Sequence, residues 1–182
     1  ALAPAAVTDV LKAADWFPKN AARYNVDTRR IVTMGDSAGG HLALMIAMTP
    51  KSARLGPQTR IAAVFNFYGI TDVEELLSPP NSRNWAVEWL PETTPDRLKV
   101  ARQVSPITYV RRGLPPVLTF HSDADNVVPY SQAVRLTEAL QKSGADAKMV
   151  TLPKVGHSFM NQAPAEVWPQ VWDFLRSRGI MR

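Results

Sequence analysis

Three short motifs along the 182 residues present, in order, a serine, an aspartate and a histidine in settings where they could share one reaction. The first is Gly35-Asp36-Ser37-Ala38-Gly39, running on into Gly40-His41 between an apolar, strand-like run (31–34) and a helix-like run (42–48). The Gly-x-Ser-x-Gly spacing reads as a nucleophile elbow. A serine on a sharp strand-to-helix turn needs backbone angles that leave little room for side chains two residues to either side, and glycine supplies that room. The N–H of Ala38, at the start of the helix, would point toward an oxyanion forming at the serine.

A hydroxyl nucleophile needs a base and an acid behind it. Residues 116–120 read as a buried strand leading into the polar turn His121-Ser122-Asp123-Ala124-Asp125-Asn126-Val127-Val128-Pro129. Asp125 is the candidate acid, with Asp123 its competitor in the same turn. A further strand over 147–152 precedes Pro153-Lys154-Val155-Gly156-His157-Ser158-Phe159, where a tight turn at Gly156 would present His157 as base. The chain order Ser, Asp, His differs from that of the two best-known serine protease folds and is that of the α/β-hydrolases.

On these residues the chain resembles the α/β-hydrolase superfamily, within it the esterase/lipase group of hormone-sensitive lipase and the bacterial feruloyl and acetyl esterases. The Gly-Asp-Ser-Ala-Gly-Gly-His elbow, the Ala-Asp-x-x-Val-Pro turn and the Gly-His-Ser-Phe turn carry it, and it covers nearly the whole chain. The resemblance implies an α/β-hydrolase fold, a parallel sheet flanked by helices, with N-terminal strands missing. That group carries a His-Gly-Gly-Gly motif upstream of the elbow whose N–H groups complete the oxyanion hole. No such motif occurs in these residues. The expectation is therefore a C-terminal portion of a hydrolase, one partial domain over 1–182.

The elements that must position the three residues follow from the alternation of patterns. Apolar Val7, Val10, Leu11, Ala14 and Phe17 at helical spacing predict an amphipathic helix over about 3–25. Strands are expected at 31–34, 61–67, 116–120 and 147–152, and late helices at 131–142 and 164–178. Strand and helix in alternation give a parallel sheet, whose sites lie at the strands' C-terminal ends. Residues of about 70–109 interrupt this with Pro79-Pro80, Trp85, Trp89, Pro91 and Pro95. By resemblance that stretch is a cap insertion over the site, and its aromatics could line an acyl or aryl pocket. Asp36, Tyr68, Trp85 and Trp89 are the candidate substrate contacts. Trp85 and Trp89, at i, i+4, could equally be cap core. His41 is expected to hydrogen-bond within the elbow helix, and His121 to be a packing and turn residue.

Composition narrows the classes further. The chain is 46% hydrophobic, enough for a core, and contains no cysteine, which excludes disulfides and thiolate metal sites. No apolar run reaches the length of a membrane span. The formal net charge of +5 comes from scattered basic residues, Arg29-Arg30, Arg111-Arg112 and those of 176–182, without a stripe of interleaved aromatics, so nucleic acid is not the expected partner.

The implied chemistry is acyl transfer through an acyl-serine, with a small-molecule ester as substrate and neither metal nor cofactor. Two alternatives stand beside it: a serine peptidase of the prolyl-oligopeptidase type, whose elbow more often has an aromatic residue where this chain has Ala38, and an impaired hydrolase fragment acting as an association module. In the family, the strand matching residues 31–34 is central. Here one of its edges is expected to be covered, by a missing N-terminal segment or by a homodimer partner.

Overall fold

A computed structural model describes residues 1–161 and 163–181. Its framework is a sheet of four parallel strands in the order β1 (Val32–Asp36), β2 (Ala63–Phe67), β3 (Val117–Ser122), β4 (Ala147–Leu152). Every residue of β2 and β3 is buried, as expected for parallel strands with helices on both faces. Alternation sorts their side chains. Val64 and Val117 pack with Leu44, Met48, Leu136 and Leu140 from helices α2 (Ala38–Met48) and α5 (Tyr130–Lys142). Phe65, Phe67, Leu118 and Phe120 face Val167, Val171 and Phe174 of α6 (Pro164–Ser177) on the other side.

Two strands run further than their apolar runs suggest. β1 continues through Gly35 and Asp36, in register with Asn66 and Phe67, and β3 continues through His121 and Ser122, in register with Thr151 and Leu152. Backbone pairing to a neighbour outlasts the hydrophobic pattern, so the polar chemistry begins inside the strands.

The first helix, α1 (Ala5–Tyr24), buries Val7 and Leu11 one turn apart and ends where Asn25 takes a left-handed conformation, φ 53°. Between β2 and β3 the chain forms α3 (Asn84–Trp89), α4 (Arg97–Gln103) and short 3-10 turns, and no strand. Ile70, Val73, Leu76, Leu90 and Val104 of this stretch share a core with Val7, Leu11 and Met45. It is also bolted to α5: the fully buried Gln132 accepts the Thr71 N–H at 2.8 Å and donates to the Asp72 carbonyl at 2.8 Å. Arg135 adds ion pairs to Asp72 and Glu75. Among the described residues no helix is long and apolar enough to cross a membrane.

Candidate active site

The C-terminal ends of β1, β3 and β4 bring Ser37, Asp125 and His157 together. Ser37 follows β1 directly and holds φ 50°, ψ −119°, outside the regions an L-residue ordinarily occupies. The strain is tolerated because Gly35 has no side chain: a Cβ there would lie 2.3 Å from the Gly39 carbonyl oxygen. On the far side of the serine the tight position differs from the expected one. A Cβ on Gly39 would meet only Asp36 Oδ1 at 3.8 Å, whereas one on Gly40 would stand 2.6 Å from Asn66 Oδ1 and 3.0 Å from the Gly69 Cα. The crowded neighbour is the turn after β2. Tyr68 and Ser158 also have positive φ, so backbone strain gathers around this site.

Ser37 Oγ lies 3.0 Å from His157 Nε2, and His157 Nδ1 lies 2.7 Å from Asp125 Oδ2. The Asp125 side chain is fully buried. Burial would push its carboxyl up, but donors from His121 and His157 and the N–H groups of Val127 (2.8 Å) and Val128 (3.0 Å) outweigh that and hold it down at about 2. With Asp125 ionised, His157 Nδ1 carries the hydrogen, and Nε2 offers its lone pair to the serine. Asp123 is elsewhere: its Oδ1 accepts the Lys154 N–H at 2.8 Å, joining the acid turn to the histidine turn. Ser122 makes a second join, donating to the Val155 carbonyl.

Ala38 opens α2, with its N–H among the first amides of that helix. Beside it a cavity of about 370 Å³ runs from Ser37 and Ala38 to Trp85 and Trp89, walled by His41, Ile70, Val73 and Val127. Of the four candidate substrate contacts, Trp85 and Trp89 line this cavity, and Asp36 and Tyr68 are not among its lining residues. The Tyr68 hydroxyl donates to Asp36 Oδ2 at 3.1 Å, and the ring packs edge-on against His157 with centroids 4.5 Å apart. Burial and the Asp36 carboxylate push this hydroxyl up to about 12, so it stays a neutral donor.

His41 is a correction. Its Nε2 does not bond within the elbow helix but reaches the Val104 carbonyl at 2.7 Å, across to the stretch between β2 and β3. Burial, opposed by that bond, pushes its pKa down to about 4 and keeps the imidazole neutral. Sequence reasoning gave His121 only a packing and turn role, yet its Nε2 also lies 3.1 Å from Asp125 Oδ2. Its place four residues before the acid, at a strand end, was the available signal.

The fold and the serine elbow at the strand ends define an α/β hydrolase. Over residues 1–140 the sequence matches the BD-FAE family, to which this chain belongs. The esterase LipC of Mycobacterium tuberculosis is 32% identical over 166 residues, an alignment covering 86% of this chain and 41% of that protein. The chain thus spans about two fifths of that relative's length. Esterase 2 of Thermogutta terrifontis, phosphoramylated by tabun, superposes with a TM-score of 0.78 at 29% identity, over 96% of this chain and 65% of that one. The same esterase has been seen with butyrate and with propionate bound. A truncated form of a carbohydrate esterase from gut microbiota reaches a TM-score of 0.82 at 26% identity, covering all of this chain and 70% of its own.

Proposed function

We propose that this chain carries the nucleophile, base and acid of a serine carboxylic-ester hydrolase acting on small esters with short acyl or aryl groups. The observation that carries this reading is the continuous contact from Ser37 Oγ through the His157 imidazole to Asp125. In the proposed reaction His157 Nε2 takes the hydroxyl proton as Ser37 Oγ bonds to the ester carbonyl carbon. The oxyanion so formed turns toward the Ala38 N–H. Collapse breaks the ester C–O bond, and the alcohol leaves with the proton held by His157. Water, deprotonated by His157, then attacks the acyl-serine and releases the carboxylic acid, returning the proton to Ser37. Asp125 holds the tautomer and stabilises the imidazolium.

The apolar wall of the cavity supports a neutral acyl or aryl group. The butyrate and propionate bound to the Thermogutta esterase support a short one. Residues of about 70–109 are read as the cap, closing the cavity with Trp85 and Trp89. The uncovered edge of β1 is read as paired in the working protein, by polypeptide outside these residues or by a second copy.

Covalent labelling by a fluorophosphonate, followed by hydrolysis of p-nitrophenyl acetate, tests the reading. Parent protein is expected to label at Ser37 and Ser37→Ala not at all. Further oxyanion donors beyond Ala38 are not in the motif set of this sequence, and loss of one such donor typically costs about 10²- to 10³-fold in turnover. Turnover by the 182 residues alone is therefore expected to be weak. Cleavage of peptides in preference to esters, or labelling that survives Ser37→Ala, would overturn the proposal. Labelling with no turnover would favour the association module.

A further inference from the structure

The acid of this site has two histidines on one oxygen. His157 Nδ1 reaches Asp125 Oδ2 at 2.7 Å, and His121 Nε2 lies 3.1 Å from the same atom. His121 is completely buried, packed edge-on against Tyr130 with ring centroids 5.9 Å apart. We infer that His121 is a positioning residue for Asp125: held as its Nε2–H tautomer, it shares that hydrogen with the carboxylate oxygen serving His157, and thereby weakens the hydrogen bond that oxygen accepts from His157 Nδ1. The inference rests on the proposed serine-hydrolase reading for its consequence in catalysis, and on geometry alone for its physical content.

The tautomer follows from the surroundings. The second partner of Nε2 is the Val128 carbonyl, at 3.1 Å and the better aligned of the two. An ionised carboxylate and a carbonyl can only accept, so Nε2 must carry the hydrogen. Nδ1 is buried without a partner among the described residues. Moving the hydrogen there would bury an unpaired donor and turn a lone pair on two oxygens, each an unfavourable arrangement.

The effect on His157 follows from where Asp125 is already fixed. Its other oxygen, Oδ1, is pinned by the Val127 and Val128 N–H groups, which hold the carboxylate in place with or without His121. What His121 adds is a donor dipole at Oδ2. A donor there withdraws charge from the oxygen facing His157, so the bond it accepts from His157 Nδ1 is weaker than the carboxylate alone would make it. Tyr68 packs beside His157, with Asp36 behind it, and Tyr130 beside His121, while Arg83 gives its Nε–H to the Val127 carbonyl of the acid turn at 3.0 Å.

Nitrogen-15 NMR of histidine-labelled chain tests this without requiring turnover. In the parent, His121 is expected to show a protonated Nε2 and a bare Nδ1. His121→Phe keeps a ring and removes the donor, and should move the His157 Nδ1 proton resonance downfield, as a stronger bond to Asp125 would. His121→Gln places an amide N–H near the Nε2 position and should leave that resonance at the parent position. A protonated Nδ1 in the parent overturns the inference even if neither variant folds. So does a His157 Nδ1 proton resonance in His121→Phe at or upfield of its parent position. The fluorophosphonate and ester assays judge the hydrolase reading separately, so either idea can fail alone.

Discussion

Ser122 Oγ donates to the Val155 carbonyl, joining the turn that carries the acid to the turn that carries the base three residues before Asp125 and two before His157. Asp123 reinforces the join by accepting the Lys154 N–H. The two aspartates of this turn therefore divide the labour: one is aimed at the imidazole, the other at the backbone of the neighbouring turn. Asp125→Asn is expected to lower kcat by about 10³- to 10⁴-fold, the scale seen when the tautomer-fixing acid of a serine triad becomes an amide. Asp123→Asn should lower it by less than about tenfold, with a stability loss on the order of 1 kcal/mol for the weakened hydrogen bond. Steady-state hydrolysis of p-nitrophenyl acetate compares the two. Equal losses would mean that the acid is misassigned.

The elbow glycines offer a contrast in stability. Gly40→Ala forces a Cβ to 2.6 Å from Asn66 Oδ1 and 3.0 Å from Gly69 Cα, in a place where the neighbours are a buried amide and backbone. A loss of about 2 to 4 kcal/mol is expected from such overpacking. Gly39→Ala meets nothing closer than 3.8 Å. Within α2 that change should be neutral or stabilise by up to about 1 kcal/mol. Urea denaturation of the two variants checks the order, and a Gly39 variant less stable than the Gly40 variant would contradict the packing described.

Most of the architecture was legible in the chain because it rests on local patterns. Val7 and Leu11 at helical spacing marked α1, and the apolar run at 61–67 marked β2. The three turns that bear Ser37, Asp125 and His157 were marked by glycine, proline and aspartate chemistry tied to strand ends. What was not legible depends on contacts between distant segments. Val104 lies 63 residues from His41, and nothing local distinguishes a histidine that bonds its own helix from one that bonds another segment. Nothing local ties Tyr68 to Asp36, 32 residues away in the chain. Their mutual hydrogen bond arises from the β1–β2 register, which places Asp36 opposite Phe67. The strain limit at Gly40 likewise comes from Asn66 on β2 and Gly69 in the turn after it.

His41 gives the protein a definite response to acid. Burial lowers its pKa from 6.5 to about 4, so the unfolded chain takes up a proton over a range where the native chain does not. Stability from this residue is complete above about pH 6.5 and is lost as pH falls through about 4, a loss on the order of 3 kcal/mol. Asp125 acts lower: its contribution is complete above pH 3.8 and is lost as pH falls toward about 2. Thermal unfolding between pH 7.5 and 4 should therefore show a falling Tm in the parent. His41→Gln keeps an N–H for the Val104 carbonyl but cannot titrate, and its Tm should fall much less across that range. Parallel curves would show that the imidazole is not neutral in the folded protein.

The edge of the sheet makes the last prediction. β1 pairs with β2 on one side, and among the described residues no strand lies on its other side. Met34 on this strand is 44% exposed, and Trp16, Phe17 and Tyr24 of α1 are each about half exposed. Residues 32–34 of this strand carry neither proline nor charge, two of the features that keep edges from pairing. The isolated 182-residue chain is therefore expected to self-associate, with a mass by light scattering that rises with concentration. Hydrogen exchange at the amides of residues 32–36 should slow as it does so, because pairing at this edge would occupy those of them that face outward. A monomer at all concentrations, with fast exchange along 32–36, would show that the strand is stable with its edge open to water.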